Sequence, residues 1–222
     1  MLLAIDTSTN QMGLALYDGA QVIGELLWHS RHYHTVELAP AVADLLSRTG
    51  HKMDELQALS VALGPGSFTS LRVGLAFDKG VALARHLPII GIPTLDIIAA
   101  AQAVRDIPLA AVLQAGRGRL ALVRYEAGEN GWQAKGEPQV TTVDELAESI
   151  QKPTIVCGEL SAEERQRLAR KRTNVVLPSP AACVRRPAVL AELAWERWQA
   201  GIQDDAASLA PIYLHVANPI PS

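Results

Sequence analysis

The first thirty residues alternate short apolar runs with polar turns, and apolar residues at helical spacing follow from Val36. Apolar runs at 2–6, 13–17 and 22–28 are separated by turn residues, which predicts a three-stranded meander. The predicted elements that follow are a helix at 36–46, a strand at 58–63, a helix from Phe68, a strand at 89–92 and a helix at 95–104. This β-β-β-α-β-α-β-α order predicts an α/β domain.

The second half repeats this order. Strands are predicted at 109–113, at 120–125 and after Trp132, then a helix at 143–150, a strand at 154–157, a helix at 161–172, a strand at 174–177 and a helix at 188–200. Asp106-Ile107-Pro108 is a plausible boundary between domains 1–105 and 106–222. Two halves that each open with a meander predict a duplicated fold, although no sequence-level repeat accompanies it.

A glycine-rich turn, Gly64-Pro65-Gly66, precedes the second predicted helix. Glycine permits positive φ, proline fixes φ, and Ser67 is suited to cap the first helical amides, so the helix should begin at about Phe68. An anion site is the alternative, since such turns expose amides to phosphate. The segment lacks the lysine of a phosphate-binding loop, which favours a structural turn.

The helix after this turn has two apolar regions on a helical wheel. A broad arc, expected to face the core, contains Val73, Gly74, Ala76, Phe77, Gly80, Val81, Leu83 and Ala84. A separate narrow stripe contains Leu71, Leu75 and Ala82, with Asp78 and Arg85 on one side and Arg72, Lys79 and His86 on the other. An apolar stripe within a charged rim is typical of a partner interface, and burial of the helix on both sides remains the alternative.

Composition narrows the function classes. Of 222 residues, 49% are apolar and 19% charged, and the net charge of −3 gives no general attraction to nucleic acid. No run approaches a membrane span and no basic stretch precedes the N-terminal apolar run, which predicts a cytoplasmic protein without membrane contact. Cys157 and Cys183 lack neighbouring ligands and are expected to be buried, reduced thiols.

Three other groups of residues are candidates for chemistry. The basic residues at 165–172 follow a capping box of Ser161 and Glu164, which favours a solvated helix over an RNA contact. His29, His32 and His34 lack a nearby acidic or cysteine ligand except Glu37, which favours surface or capping roles over a metal site. No Ser-His-Asp or Cys-His arrangement is supported by spacing.

Two segments resemble the TsaB (YeaZ) family, the bacterial dimerisation subunit of the machinery for threonylcarbamoyladenosine in tRNA. They are Leu3-Ala4-Ile5-Asp6-Thr7-Ser8 and the block from Gly64 through Arg72-Val73-Gly74 to Lys79-Gly80, with Gly91-Ile92-Pro93-Thr94-Leu95 after it. The resemblance is strong over residues 1 to about 98. It is weak afterwards, although Pro211-Ile212-Tyr213-Leu214 is similar to the family's closing motif.

The resemblance implies an actin-like (ASKHA, ribonuclease H-like) fold of two related α/β subdomains. It also implies a non-catalytic subunit that binds TsaD, with TsaE in the larger complex, tRNA contacted indirectly and a homodimer formed through the same helix. No catalytic residue, cofactor or metal is expected. On this basis the partner interface is predicted to comprise Phe68, Leu71, Arg72, Leu75, Asp78, Lys79 and Ala82.

An alternative function is an actin-like ATP-dependent phosphotransferase or ATPase, because Asp6-Thr7-Ser8-Thr9 resembles the first phosphate loop of such enzymes. Asp6 is suited to hold Mg²⁺ through water. The loop lacks the usual following glycine, and the second phosphate hairpin has Gln114 where an acidic residue is needed. Asp6, Thr7 and Ser8 are therefore interpreted as a degenerate phosphate loop.

The sequence also departs from the TsaB pattern. It has Gln114-Ala115-Gly116 and Arg119-Leu120-Ala121 where relatives carry Asp-Ala-Arg and Glu-Val-Tyr. Asp78 stands where a small residue is usual.

Overall fold

The computed structural model describes residues 1–31, 33–170 and 174–214, which divide into two compact units. The first unit contains residues 1–97 and 186–212, and the second contains 98–185 with residues 213 and 214. Within the described ranges, no helix is both long enough and apolar enough to cross a bilayer.

The first unit is built on a five-stranded sheet. Its strands are β1 (Leu2–Asp6), β2 (Gln11–Tyr17), β3 (Val22–His29), β4 (Ala58–Ala62) and β5 (Ile89–Ile92). They lie in the order β3-β2-β1-β4-β5, antiparallel from β3 to β1 and parallel from β1 to β5. β1, β4 and β5 are wholly buried, as is usual for apolar parallel strands covered on both faces.

Helices cover both faces of this sheet. They are α1 (His34–Thr49), α2 (Phe68–Arg85), α3 (Thr94–Ala100) and, from the end of the chain, α6 (Pro187–Gln199). Residues of α1 and α2 share a core with Leu3, Ile5 and Leu59, on one face of the strands. α6 packs on the opposite face, where Leu190 and neighbouring alanines meet Leu2 and Ala4. Because successive side chains of β1 point to opposite faces of the sheet, β1 contributes residues to both cores.

The second unit has a six-stranded sheet. Its strands are β6 (Leu109–Gln114), β7 (Leu120–Gly128), β8 (Gly131–Ala134), β9 (Gln139–Thr141), β10 (Thr154–Gly158) and β11 (Val175–Val176). Its helices are α4 (Val143–Ser149) and α5 (Ala162–Ala169), and the core between them and the sheet contains Val112, Leu146 and Leu168. The order β8-β7-β6-β10-β11 repeats that of the first sheet, with β9 added beside β7. The predicted duplication is confirmed at the level of topology.

Most predicted elements are present with small shifts at their ends. α2 begins at Phe68 as predicted, with Ser67 accepting a hydrogen bond from the Ser70 amide, and α1 ends at a left-handed Gly50. Unpredicted elements are β9 and two short 3₁₀ turns, Met53–Glu55 and Pro180–Cys183. The end of the helix predicted at 161–172 lies partly outside the described residues.

The predicted division into 1–105 and 106–222 is wrong for the last part of the chain. Residues 186–212 belong to the first unit, where α6 covers one face of the sheet. Arg186 pairs with Glu25 of β3, and the Asp204 amide donates to the Ile89 carbonyl at 2.9 Å. Order along the chain predicted the helix but carried no information on which sheet it covers.

Candidate partner-binding site

The glycine turn is fastened to the loop that follows β1. The Ser67 amide donates to the Ser8 carbonyl at 2.7 Å, and a Cβ added to Gly66 would lie 2.2 Å from that same oxygen. Thr7 donates through Oγ1 to the Ser70 carbonyl at 2.8 Å. Position 66 must be glycine here because no side chain fits between the two segments.

The loop Asp6-Thr7-Ser8 is itself buried, with no more than 1% of any of its residues exposed. Asp6 Oδ1 accepts from the Ser8 amide at 2.8 Å, and the Ser8 and Thr94 hydroxyls lie 2.8 Å apart. The polar groups of this loop therefore bind the protein's own backbone and side chains. These hydrogen bonds hold the start of α2 in place against the loop.

The two faces of α2 are the reverse of the prediction. Leu71, Leu75 and Ala82 are 1%, 6% and 4% exposed, and Asp78 between them is fully buried. These four were predicted at the partner interface, and that prediction is wrong. A helical wheel shows how apolar residues are distributed but not which side meets the sheet, and here the narrow stripe does.

Most of the broad apolar arc of α2 is accessible, except Gly74, which is buried against Thr7. Phe68 and Leu83 are 54% and 68% exposed, Ala76 is also exposed, and Val73 and Phe77 are half-buried. The Arg72 guanidinium lies 4.5 Å from the centre of the Phe68 ring. Of the predicted interface residues, Phe68 and Arg72 are thus exposed, and half-buried Lys79 donates to the Ala207 carbonyl at 3.3 Å.

A cavity of about 460 Å³ lies between α1 and α2 at this face. Its walls include Leu38, Val73 and Phe77, and Arg72 supplies the charged group of its lining. Val36 and Tyr33, at the start of α1, are 68% and 60% exposed. Tyr33 and Val36 were not predicted as interface residues. Two large apolar side chains at the start of a helix are a sequence signal that could have indicated an interface. The cavity and the exposed side chains of α2 and of the start of α1 are together called the α1/α2 face below; these side chains are Tyr33, Val36, Phe68, Ala76 and Leu83.

Gln114, which departs from the TsaB pattern, has a local explanation in the second unit. Its Nε2 donates to Glu164 Oε2 at 2.7 Å and to the Glu159 carbonyl at 3.2 Å. Glu164 also completes the capping box of α5 with Ser161. A carboxylate at position 114 would face two acceptors, whereas the amide satisfies both.

The basic residues of α5 are engaged within the second unit. Arg167 pairs with Glu163 at 2.7 Å and Asp144 at 2.9 Å, and Arg165 donates to the Pro178 carbonyl. These contacts support the predicted solvated, capped helix rather than an RNA-binding one. Lys171 and Arg172 lie outside the described residues.

The remaining candidate groups are structural. His34 Nε2 lies 2.9 Å from the Thr9 carbonyl, and His32 lies outside the described residues. Within the described ranges, no group of three or more His, Cys, Asp or Glu residues is arranged to hold a metal ion. Cys157 and Cys183 are buried free thiols as predicted, and burial raises the pKa of Cys157.

Two sheets of one repeated topology define an actin-like α/β fold. An activator of 2-hydroxyisocaproyl-CoA dehydratase from Clostridium difficile shares it with a TM-score of 0.52 and 10% identity, covering 92% of this chain and 98% of that one. The solved structure of YeaZ from Pseudomonas aeruginosa aligns with a TM-score of 0.79 and 24% identity, covering 96% and 99%.

Sequence comparison defines the family within this fold class. The family model described as TsaD, tRNA N6-adenosine threonylcarbamoyltransferase, matches residues 28–205. The protein from Escherichia coli K12 named tRNA threonylcarbamoyladenosine biosynthesis protein TsaB is 32% identical over 70% of this chain and 64% of its own length. Its namesake from Bacillus subtilis is 29% identical over 98% and 95%. The chain belongs to the family that this model describes, and it is similar to the relatives named TsaB.

Alignment length differs between these relatives. The chain spans slightly less than two thirds of the Escherichia coli protein and nearly all of the Bacillus subtilis protein. A protein from Solidesulfovibrio magneticus named tRNA N6-adenosine threonylcarbamoyltransferase is also similar, at 31% identity over 57% of this chain. The family therefore includes both proteins named for the transferase and proteins named TsaB.

Proposed function

We propose that this chain is a non-catalytic subunit that binds TsaD and supports N6-threonylcarbamoylation of the adenosine beside the tRNA anticodon. TsaE joins the larger complex, and tRNA is contacted indirectly. The names of the TsaB relatives support the pathway, and the α1/α2 face supports the role of a partner.

The observation that carries this proposal is the exposed apolar arc of α2. Large apolar side chains that stay in water are costly when they form a contiguous patch, and such patches are typical of protein interfaces. Phe68 lines the cavity, Leu83 is exposed further along the same helix and Val36 is exposed at the start of α1, and the cavity has room for a large apolar side chain of the partner. Arginine is among the residue types enriched at centres of binding energy, and Arg72 lies over the exposed Phe68 ring.

The residues proposed to bind the partner are revised accordingly. Phe68 and Arg72 are kept, Lys79 is kept at the edge, and Leu83, Phe77 and Val36 are added. Leu71, Leu75, Asp78 and Ala82 are withdrawn because they are buried. In the absence of TsaD, the same face is proposed to form a homodimer.

The alternative of an ATPase that uses Asp6 is less well supported. The loop 6–8 is buried and hydrogen-bonded to the turn and to Thr94, so a phosphate group would have to displace those contacts. Gln114 donates to acceptors at the second expected phosphate position. Both observations support a subunit without its own phosphoryl chemistry.

The test is reconstitution with TsaD of the same organism. We expect the chain to co-purify with TsaD and to restore tRNA modification to a mixture that lacks only its TsaB subunit. The isolated chain is expected neither to hydrolyse ATP nor to modify tRNA. ATP turnover by the isolated chain would favour the alternative, and failure to restore modification would contradict the proposal.

Leu83→Glu tests the location of the face. Leu83 is exposed, so the charge should leave folding intact yet weaken TsaD binding by at least about tenfold. Val104→Glu is the matched control, because Val104 is also exposed, at 49%, but lies in the second unit. Equal affinities of the two variants for TsaD would mean that the interface does not include this side of α2.

A further inference from the structure

Asp78 is a buried carboxyl on the core side of α2. It lies between Leu75 and Ala82 on the helix, with 0% of its surface exposed. Neither Oδ1 nor Oδ2 has a hydrogen-bond partner within the part of the chain that the structure describes. An unpaired ionised carboxylate in such a place costs several kcal/mol, whereas the neutral acid costs much less.

The cations of α2 are all engaged away from this carboxyl. Arg72 lies over the Phe68 ring, Lys79 donates to the Ala207 carbonyl, and Arg85 pairs with Asp54. None of them is bonded to Asp78.

The elements packed around α2 include α1, β1, β4, β5, the 3₁₀ turn Met53–Glu55 and the segment 203–212. Neither β4 nor β5 contains a titratable residue. The titratable residues of the other elements are His34, Glu37, Asp44 and Arg48 of α1, Asp6 of β1, Asp54 and Glu55 of the turn, and Asp204 and Asp205 of the segment. Asp54 pairs with Arg85, and Glu55 pairs with His51.

These groups have their own partners. In α1, His34 contacts the Thr9 carbonyl, Glu37 accepts from Trp28, and Asp44 pairs with Arg48. The other three carboxylates accept from backbone amides: Asp6 from Ser8, Asp204 from Gly91 and Asp205 from Ala207. Within the part of the chain that the structure describes, none of these charged groups is bonded to Asp78, and burial alone raises its pKa well above the ordinary value of 3.8.

We propose that Asp78 makes the packing of α2 depend on protonation, so that the helix is held most firmly while this carboxyl is neutral and loosens when it ionises. Because α2 carries the proposed TsaD-binding face, this device would regulate that face. The link to partner binding rests on the proposed function, whereas the effect on α2 itself does not.

The sign follows from the two states. The unfolded chain releases the Asp78 proton above the ordinary pKa of 3.8, while the folded chain retains it to higher pH. The contribution of Asp78 to stability is therefore greatest at low pH. It falls as pH rises, by up to about a tenfold change in the unfolding constant per pH unit, until the folded pKa is passed.

The test compares the wild type with Asp78→Asn across pH 4 to 8. Urea unfolding and hydrogen exchange of the α2 amides would both be measured, the second because it reports this helix directly. We expect the wild type to lose stability relative to Asp78→Asn as pH rises, with faster exchange in α2. The matched control is Asp44→Asn, an exposed carboxylate of the same unit, which separates the loss of any one negative charge from the loss of the buried one.

Parallel profiles of the wild type and Asp78→Asn would overturn the proposal. Should Asp78→Asn not fold, Asp78→Ala provides the same comparison, because it also lacks a titrating group at this position. Neither readout involves TsaD. A normal pH effect without TsaD binding would therefore contradict only the proposed function, and TsaD binding without the pH effect would contradict only the role of Asp78.

Discussion

The helix pairs α1/α2 and α4/α5 occupy equivalent positions in two sheets that share one topology. Their solvent-exposed surfaces nevertheless differ. α2 has 18 residues and leaves large apolar side chains such as Leu83 in water. α5 has 8 residues, and its Arg167 bridges to Glu163 and to Asp144 of α4. One repeat thus carries a surface suited to a protein partner, and the other carries one that water and ion pairs satisfy.

The two equivalent hairpins differ in a similar way. In the first unit Thr7 and Ser8, directly after β1, are buried, and Ser8 is bonded to the glycine turn. In the second unit the loop after β6 is exposed, and Gly116, Arg117 and Gly118 all have positive φ. Both occupy positions where the actin-like resemblance predicted phosphate loops. The first position, after β1, is occupied by hydrogen bonds within the protein. The second, after β6, has Gln114 in place of an acidic side chain.

The largest effect is expected from a charge on the core side of α2. Leu75→Glu buries an uncompensated carboxylate in the core and should cost about 4 kcal/mol or more in the free energy of unfolding. Leu83→Glu, on the exposed side, should change it by no more than about 0.5 kcal/mol. Urea unfolding of the two variants measures the difference between the faces. Similar losses would mean that α2 is buried on both sides.

A smaller effect is expected in the second unit from Gln114→Glu. The change removes a donor to Glu159 and Glu164 and sets two carboxylates against each other, which should cost about 1–3 kcal/mol at neutral pH. Gln139→Glu, at an exposed position of β9 opposite Leu122, serves as the control and should be nearly neutral. If both variants were equally stable, the amide of Gln114 would not be what the local structure requires.

The fold was predictable where signals were local. Strand alternation, the cap at Ser67 and the stop at Gly50 each depend on a few neighbouring residues, and the elements they define are present. The core side of α2 was not predictable in this way, because the helix has two apolar regions and only the sheet decides between them. Asp78 was predicted on the solvent side because charged residues are usually exposed, but it lies on the buried side of the helix.

The smallest effect tests the exposed hairpin of the second unit. Arg117 has φ of 54°, a left-handed conformation that asparagine adopts more readily than arginine. Arg117→Asn should therefore stabilise the protein by about 0.5 kcal/mol, measured by urea unfolding. Arg105→Asn, at an exposed position without positive φ, controls for loss of the charge. Stabilisation of both variants alike would assign the gain to charge, whereas a gain limited to position 117 would show that this loop, unlike its buried counterpart after β1, retains backbone strain.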